Sequence, residues 1–321
     1  MSNREASCPL CHKRTDVLLT DRLRRGHGRV FHCIFCDHAF LIPDTTTDPK
    51  KYYAEEYRQE YSHEADGSTT HPQEIFDIYS RFQTERLETV DKHLHADTRL
   101  LEIGASAGQF LVHILDRIAV ANAIEPDPEC CVFIESHLGV ATDAKLLNES
   151  TFASGSYDVI CSFHVMEHVE SPVDFLKNVR AALVPGGTAF VEVPNLRDSL
   201  LSVWDVGAYH DFYYRDAHLH YFTEQSARLV ANKAGFSKAE CSVKYLQDYN
   251  LLNHLNWITN GSAQATCEVG LSPINLAGTD PVLTEWLSQR LRELDEEYRE
   301  RLVIDGITSN LMLILSKGST S

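Results

Sequence analysis

Four cysteines near the start of the chain stand in two equally spaced pairs, Cys8-Pro-Leu-Cys11 and Cys33-Ile-Phe-Cys36, with 21 residues between them. Two thiolates from each pair close a tetrahedral shell of four sulfurs around zinc, a structural geometry with no open position for catalysis. The shell is then full, so the neighbouring His12, His32 and His38 stay outside it. A redox role for either CxxC is the minor alternative. The metal would fold a segment too small to build a core unaided. A second constellation is Leu100-Leu101-Glu102-Ile103-Gly104-Ala105-Ser106-Ala107-Gly108. A glycine-rich turn between an apolar strand and a helix lets backbone approach a ligand. Dinucleotides are read by GxGxxG through their pyrophosphate. The spacing here, acidic-x-Gly-x-Ser-x-Gly, fits instead a cofactor with a carboxylate, an ammonium and no phosphate. Glu102 would orient the ammonium, and Gly104, Ala105 and Gly108 would form the turn around the amino acid moiety. Glu125, followed by Pro126, falls 21 positions after Gly104 at the tip of the next apolar run. A carboxylate there accepts hydrogen bonds from ribose hydroxyls. Its plainer alternative is a helix N-terminal carboxylate favoured by the dipole.

The third constellation is Ser156–Asn195, which contains Asp158, Glu167-His168, Leu183-x-Pro185-Gly186-Gly187 and Pro194. With Glu102–Gly108 and Glu125 it resembles the class I S-adenosylmethionine-dependent methyltransferases over about residues 72–245. The one departure, Ser106 for a frequent Gly, is a small side chain. The resemblance implies S-adenosylmethionine as cofactor. It places Phe163 and His164 beside the methyl-donating sulfur and Asp143 or Ala144 toward the adenine, and it makes Glu167 and His168 scaffold residues. The paired CxxC segment and the Lys51-Tyr52-Tyr53 to Tyr61 stretch resemble those found before sugar and glycan methyltransferases. That likeness implies a lid over the cofactor; tyrosines packing a linker are the alternative.

Ligands of such sheets bind beyond the strand C-terminal ends. The segment after Pro194 is dense in polar aromatic chemistry, including His210, His218 and His220. A hydroxyl acceptor needs a base, and His suits neutral pH. His218-Leu-His220-Tyr221-Phe222-Thr223 resembles the sugar family's "EH-x-x-Y-F-S" element and favours His218. Ala217 and Arg215 depart from the element's Glu and Tyr. The departures weaken sugar C-methylation, which needs an activated enolate, and leave O-methylation of a sugar, nucleotide sugar or glycan-like molecule. RNA methylation and a non-catalytic cofactor-binding scaffold are the remaining alternatives.

These residues need a frame. Alternating apolar strands and helices predict a doubly wound α/β fold with a seven-stranded, mostly parallel sheet. Strands are expected at 99–103, 120–124, 140–142, 157–163, 188–193, 237–245 and 310–317. Helices are expected over 72–94, 108–117, 127–137, 171–183, 223–234 and 281–303. The organisation predicted is a zinc-binding module at 1–42, a Tyr-rich linker or lid at 43–71, and a methyltransferase domain at 72–321 with an insertion at about 246–305. In the last helix Leu283, Trp286, Leu287, Leu291, Leu294, Tyr298 and Leu302 share a face, which predicts core packing or, alternatively, a homodimer contact. A net charge of −17 disfavours nucleic acid as a partner, although Arg22, Arg24, Arg25 and Arg29 form a local basic patch. No apolar run is long enough to span a bilayer and no signal core opens the chain, which predicts a cytoplasmic protein acting on a small molecule.

Overall fold

The computed structural model of the chain describes residues 5–44, 71–152 and 156–319. The Tyr-rich stretch assigned as a lid lies outside the described residues. The chain opens with β1 (Ala6–Ser7), β2 (Arg14–Thr15), β3 (Leu18–Thr20), β4 (Gly28–Cys33) and β5 (His38–Pro43). After α1 (Pro72–Tyr79) and α2 (Thr84–Val90) come β6 (Arg99–Ile103), β7 (Val120–Ile124), α3 (Pro128–Leu138), β8 (Ala141–Asp143), β9 (Tyr157–Phe163), α4 (Pro172–Ala182) and β10 (Leu183–Pro194). Then follow α5 (Ser199–Ser202), α6 (Gly207–Tyr213), β11 (His220–Tyr221), α7 (Glu224–Lys233), β12 (Cys241–Leu246), α8 (Leu251–Asn260), α9 (Cys267–Leu271), α10 (Pro281–Asp305) and β13 (Asn310–Ser316).

Seven strands form the large sheet in the order β12-β13-β10-β9-β6-β7-β8. The pairs β10–β9, β9–β6, β6–β7 and β7–β8 are parallel. Leu100, Leu101, Ile160, Phe190 and Val191 are fully buried, as near-continuous apolar strands covered on both faces require. No helix among the described residues is long and apolar enough to cross a membrane.

Contacts divide the chain into two compact units. One comprises Asp44–Val193, Ser226–Val243 and Leu313–Ser321; the other comprises Met1–Pro43, Pro194–Gln225 and Lys244–Met312. In the second unit β5 pairs antiparallel with both β4 and β11, giving a sheet ordered β11-β5-β4-β3. Its core joins Val30, Ala39 and Leu41 of the Cys-rich segment to Leu200, Tyr209, Tyr213, Tyr214, Tyr221 and Trp257. The tyrosines after Pro194, read in the sequence as acceptor chemistry, are thus core residues of this unit.

Several expectations are corrected. Residues 108–117 form no α-helix. They make 3-10 turns at Leu111–His113 and Leu115–Arg117, with Phe110, Leu111 and Ile114 buried. The strand expected from Thr188 begins at Leu183, and a register shift before Thr188 absorbs Pro185 and the two glycines. The first part of the insertion expected at about 246–305 holds α8 and α9. The predicted apolar stripe of α10 packs only in part: Leu302 is buried and Leu291 and Tyr298 are half-buried, while Leu283, Trp286, Leu287 and Leu294 are exposed and Ser288 and Asp295 are buried instead. The helix docks through polar groups, with Ser288 Oγ accepting the Leu276 N–H at 2.8 Å and Asp295 accepting the Leu251 N–H at 2.6 Å.

Candidate active site and metal centre

The glycine turn after β6 belongs to the first unit. Gly104 has φ 76° and a Cβ there would lie 2.3 Å from Val165 Cγ2, so no side chain fits. Ser106 is itself left-handed (φ 48°), which is why glycine would be at home at that position. The turn's N–H groups are spent inside the protein. Gly104 donates to the Ile124 carbonyl at 2.7 Å, Gly108 to the Ala105 carbonyl at 2.8 Å, and Ala107 to Gln109 Oε1 at 3.1 Å. Ser106 N–H donates to Glu125 Oε2 at 2.7 Å, and the other Glu125 oxygen accepts the Asp127 N–H at 2.9 Å. This is no phosphate cradle, and what surrounds the turn is acidic. Glu102 is 3% exposed and its Oε2 has no hydrogen-bond partner. Burial pushes its carboxyl up to about 8. Pro126 leads into Asp127, the N-cap of α3, whose side chain accepts the Glu129 and Cys130 N–H groups. Ala105 is fully buried. Gly108 leaves room for α3, since a Cβ would meet Leu138 Cδ1 at 2.5 Å. Asp143, at the end of β8, is turned into its own loop, accepting Ser150 Oγ at 2.9 Å and the Thr151 N–H at 3.1 Å.

At the neighbouring tips of β9 and β10 the structure joins His164 and Glu167 to two charges not singled out in the sequence, Arg86 and Glu192. Arg86 of α2 grips the fully buried Glu192 bidentately, Nε to Oε2 at 2.7 Å and Nη2 to Oε1 at 2.9 Å. Its guanidinium also lies over the Phe163 ring, 4.5 Å from the centroid. His164, left-handed at φ 58°, sets Nε2 3.1 Å from Glu192 Oε1 and Nδ1 3.4 Å from Glu167 Oε1. Burial opposes the imidazolium, but the two carboxylates outweigh it and raise the ring to about 10. Burial likewise opposes the Glu192 carboxylate, and Arg86 and His164 together hold it well below the ordinary carboxylate range. Both His164 ring nitrogens thus face carboxylates, an arrangement that favours the imidazolium. Arg86→Met is expected to strand the Glu192 charge and cost about 3–5 kcal/mol, read as a fall in the urea midpoint. A carboxyl depressed in the folded state stabilises above its unfolded value and loses that contribution as pH falls. Wild type and variant should therefore converge in acid; a constant gap at all pH would contradict the assignment.

In the second unit the four cysteines meet. Cys8 and Cys36 sulfurs are 3.6 Å apart, Cys11 and Cys33 sulfurs 3.4 Å, and all four lie within 4.8 Å of one another. Zn–S bonds of about 2.3 Å give tetrahedral edges of about 3.8 Å, so the donor set fits. The two knuckles are built alike. His12 (φ 61°) donates its N–H to the Cys8 carbonyl and Asp37 (φ 55°) to the Cys33 carbonyl, both at 2.9 Å. Burial raises the Cys8 thiol to about 11 and pushes Cys36 up as well. Burial also opposes the Cys11 thiolate, but hydrogen bonds from the Lys13 backbone and from its cysteine neighbours outweigh it and shift that thiol the other way, downward.

The three histidines proposed as bases separate here. His220, on β11, is buried with Nδ1 3.0 Å from Nε2 of the fully buried His38. His210 sits 3.1 Å from Asp205 and is a third exposed. His218 is 7% exposed and tilts against the Tyr221 ring. The basic patch is partly committed as well: Arg22 pairs with Asp211 at 3.4 Å, Arg24 lies over Phe212, and Arg29 over Phe31.

Residues 58–240 match the family described as methyltransferase domain. Among curated proteins the chain is similar to the ubiquinone biosynthesis O-methyltransferases of Burkholderia multivorans, 28% identical over 127 residues (37% of this chain and 55% of that protein), and of Xanthomonas euvesicatoria, 28% identical over 130 residues (38% and 54%). The chain spans about half the length of these relatives. Among solved structures it is similar to phosphoethanolamine N-methyltransferase 2 of Haemonchus contortus, with a TM-score of 0.51 at 12% identity, covering 93% of this chain and 71% of that one. That likeness is one of fold.

Proposed function

The chain belongs to the methyltransferase domain family; on that premise we propose that it is an S-adenosylmethionine-dependent methyltransferase acting on a hydroxyl oxygen of a sugar, nucleotide sugar or glycan-like small molecule. The observation that carries the cofactor site is the buried Glu102 carboxyl with an unpartnered oxygen, beside a turn whose N–H groups are already used. Such a site fits an ammonium and rejects a phosphate. S-adenosylmethionine supplies an electrophilic methyl on a sulfonium. Glu102 takes the ammonium, Gly104, Ala105 and Gly108 shape the turn, and Glu125 with Pro126 offers its carboxylate to the ribose. Phe163 and His164 close the tip of β9, and Asp143 stands at the tip of β8 toward the adenine. Transfer is an in-line displacement, for which the protein supplies alignment and one base. His218 is assigned that base on the resemblance of His218–Thr223 to the sugar family's element, with His220 and His210 as the alternatives. Cys8, Cys11, Cys33 and Cys36 hold a structural zinc ion.

The sugar class is supported by the resemblance of the Cys-rich segment and of His218–Thr223. Oxygen as the atom methylated agrees with the names of the relatives. A screen with methyl-labelled cofactor over nucleotide sugars, glycans and small phenols tests both. Label in a sugar hydroxyl is expected. Label confined to phenols overturns the sugar class, and label on carbon or nitrogen overturns O-methylation.

A further inference from the structure

Two carboxylates flank the glycine turn, and the fold treats them oppositely. Glu125 accepts two backbone N–H groups, one on each oxygen. Glu102 is just as deeply placed, yet its Oε2 accepts nothing. The groups that could balance a charge on Glu102 are engaged or of the wrong sign. Arg86, the cation that acts on it, gives Nε and Nη2 to Glu192 and Nη1 to Gln83. From the end of β7, Glu125 adds a second negative charge. From β9 the residue in register is Cys161, a fully buried thiol whose ionisation is itself pushed well up. From β7 it is the apolar Ala123. An isolated carboxylate in such surroundings would take up a proton rather than stay charged.

Resting on the cofactor site described above, we propose that Glu102 is a neutral carboxylic acid in the free protein and surrenders its proton when the cofactor's ammonium arrives, so that cofactor binding is coupled to proton release. The Glu102 O–H bond breaks, the proton passes to solvent, and the resulting carboxylate pairs with the ammonium. The ligand thus supplies the positive charge that the fold withholds. Glu102 becomes a specificity device: a ligand that fills the nucleoside part of the site but lacks the ammonium leaves the acid protonated. The burial shift to about 8 sets the range in which this operates, since below that value the free carboxyl is mostly protonated.

The test is calorimetry of the cofactor product, S-adenosylhomocysteine, at about pH 6.5 in buffers of different ionisation heat, where the slope of observed heat against buffer heat counts protons exchanged. The wild-type protein should release about one proton per site. 5′-Methylthioadenosine, which has the nucleoside and no amino acid, should release none. Glu102→Gln, isosteric and uncharged, should bind S-adenosylhomocysteine more weakly and release none. A flat buffer dependence for the wild type overturns the proposal, as does equal release with 5′-methylthioadenosine, a comparison that needs no variant to fold. If S-adenosylhomocysteine does not bind at all, the cofactor site itself is wrong and the proton coupling falls with it.

Discussion

His218→Ala or His218→Gln lowers turnover by about 10²–10⁴-fold and leaves affinity for S-adenosylhomocysteine nearly unchanged. The expectation follows from the resemblance of His218–Thr223 to the sugar family's element. A base must give one ring nitrogen to the acceptor. His220 and His38 share a contact of 3.0 Å in a buried pair, so His220→Ala should register mainly as lost stability. His210, beside Asp205 and partly exposed, should tolerate Ala. Single-turnover rates with labelled cofactor separate these cases, because chemistry is then read apart from product release. Near-normal turnover in both His218 variants, with loss in His210→Ala, would move the base to the earlier part of the segment. Loss in none of the three would mean that the acceptor is acidic enough to react by alignment alone.

Removal of the metal is expected to have the second large effect. A structural zinc centre contributes about 10–16 kcal/mol of apparent binding free energy to folding. With zinc bound, that energy would hold more than a finger. β5, which follows the second knuckle, pairs with β11, and Thr223 Oγ1 donates to the Asp37 carbonyl at 2.8 Å. Arg197 also reaches Asp37 Oδ2 at 2.8 Å. Cys33→Ser should therefore loosen the His218–Thr223 segment along with the knuckles and abolish turnover. The Glu102 and Glu125 site belongs to the other unit and should still bind S-adenosylhomocysteine. Elemental analysis of protein purified without chelator should find one zinc per chain. A metal-free protein that is folded and active would refute the centre.

Legibility in the sequence follows the range of the interactions involved. β6, β7 and β9 were read to the residue because each is a short apolar run closed by a turn residue. The Cys pairs and the glycine turn were readable because their chemistry is local in sequence. Arg86 and Glu192, which lie 106 residues apart, carry no local mark: one is an ordinary helix arginine, the other an acid in a strand. The pairing of His38 with His220 spans 182 residues and is equally silent. The α10 stripe is a different case: it packs only in part. Periodicity shows which residues share a face, but not whether that face is covered, and here Ser288 and Asp295 make the packed side through hydrogen bonds. The tyrosines after Pro194 look like substrate chemistry in composition, yet they fill a core shared with Val30, Ala39 and Leu41 of the Cys-rich segment, far away in sequence.

The most direct test of the cofactor site compares S-adenosylhomocysteine binding by wild type and Glu125→Ala in calorimetry. Glu125 accepts N–H groups from Ser106 and Asp127, so the variant must first be shown to melt as a folded protein. One site per chain is predicted, with affinity weakened by about 5–150-fold in the variant, equivalent to about 1–3 kcal/mol from the lost charge-assisted ribose bonds. Unchanged affinity in a well-folded Glu125→Ala protein would contradict the account.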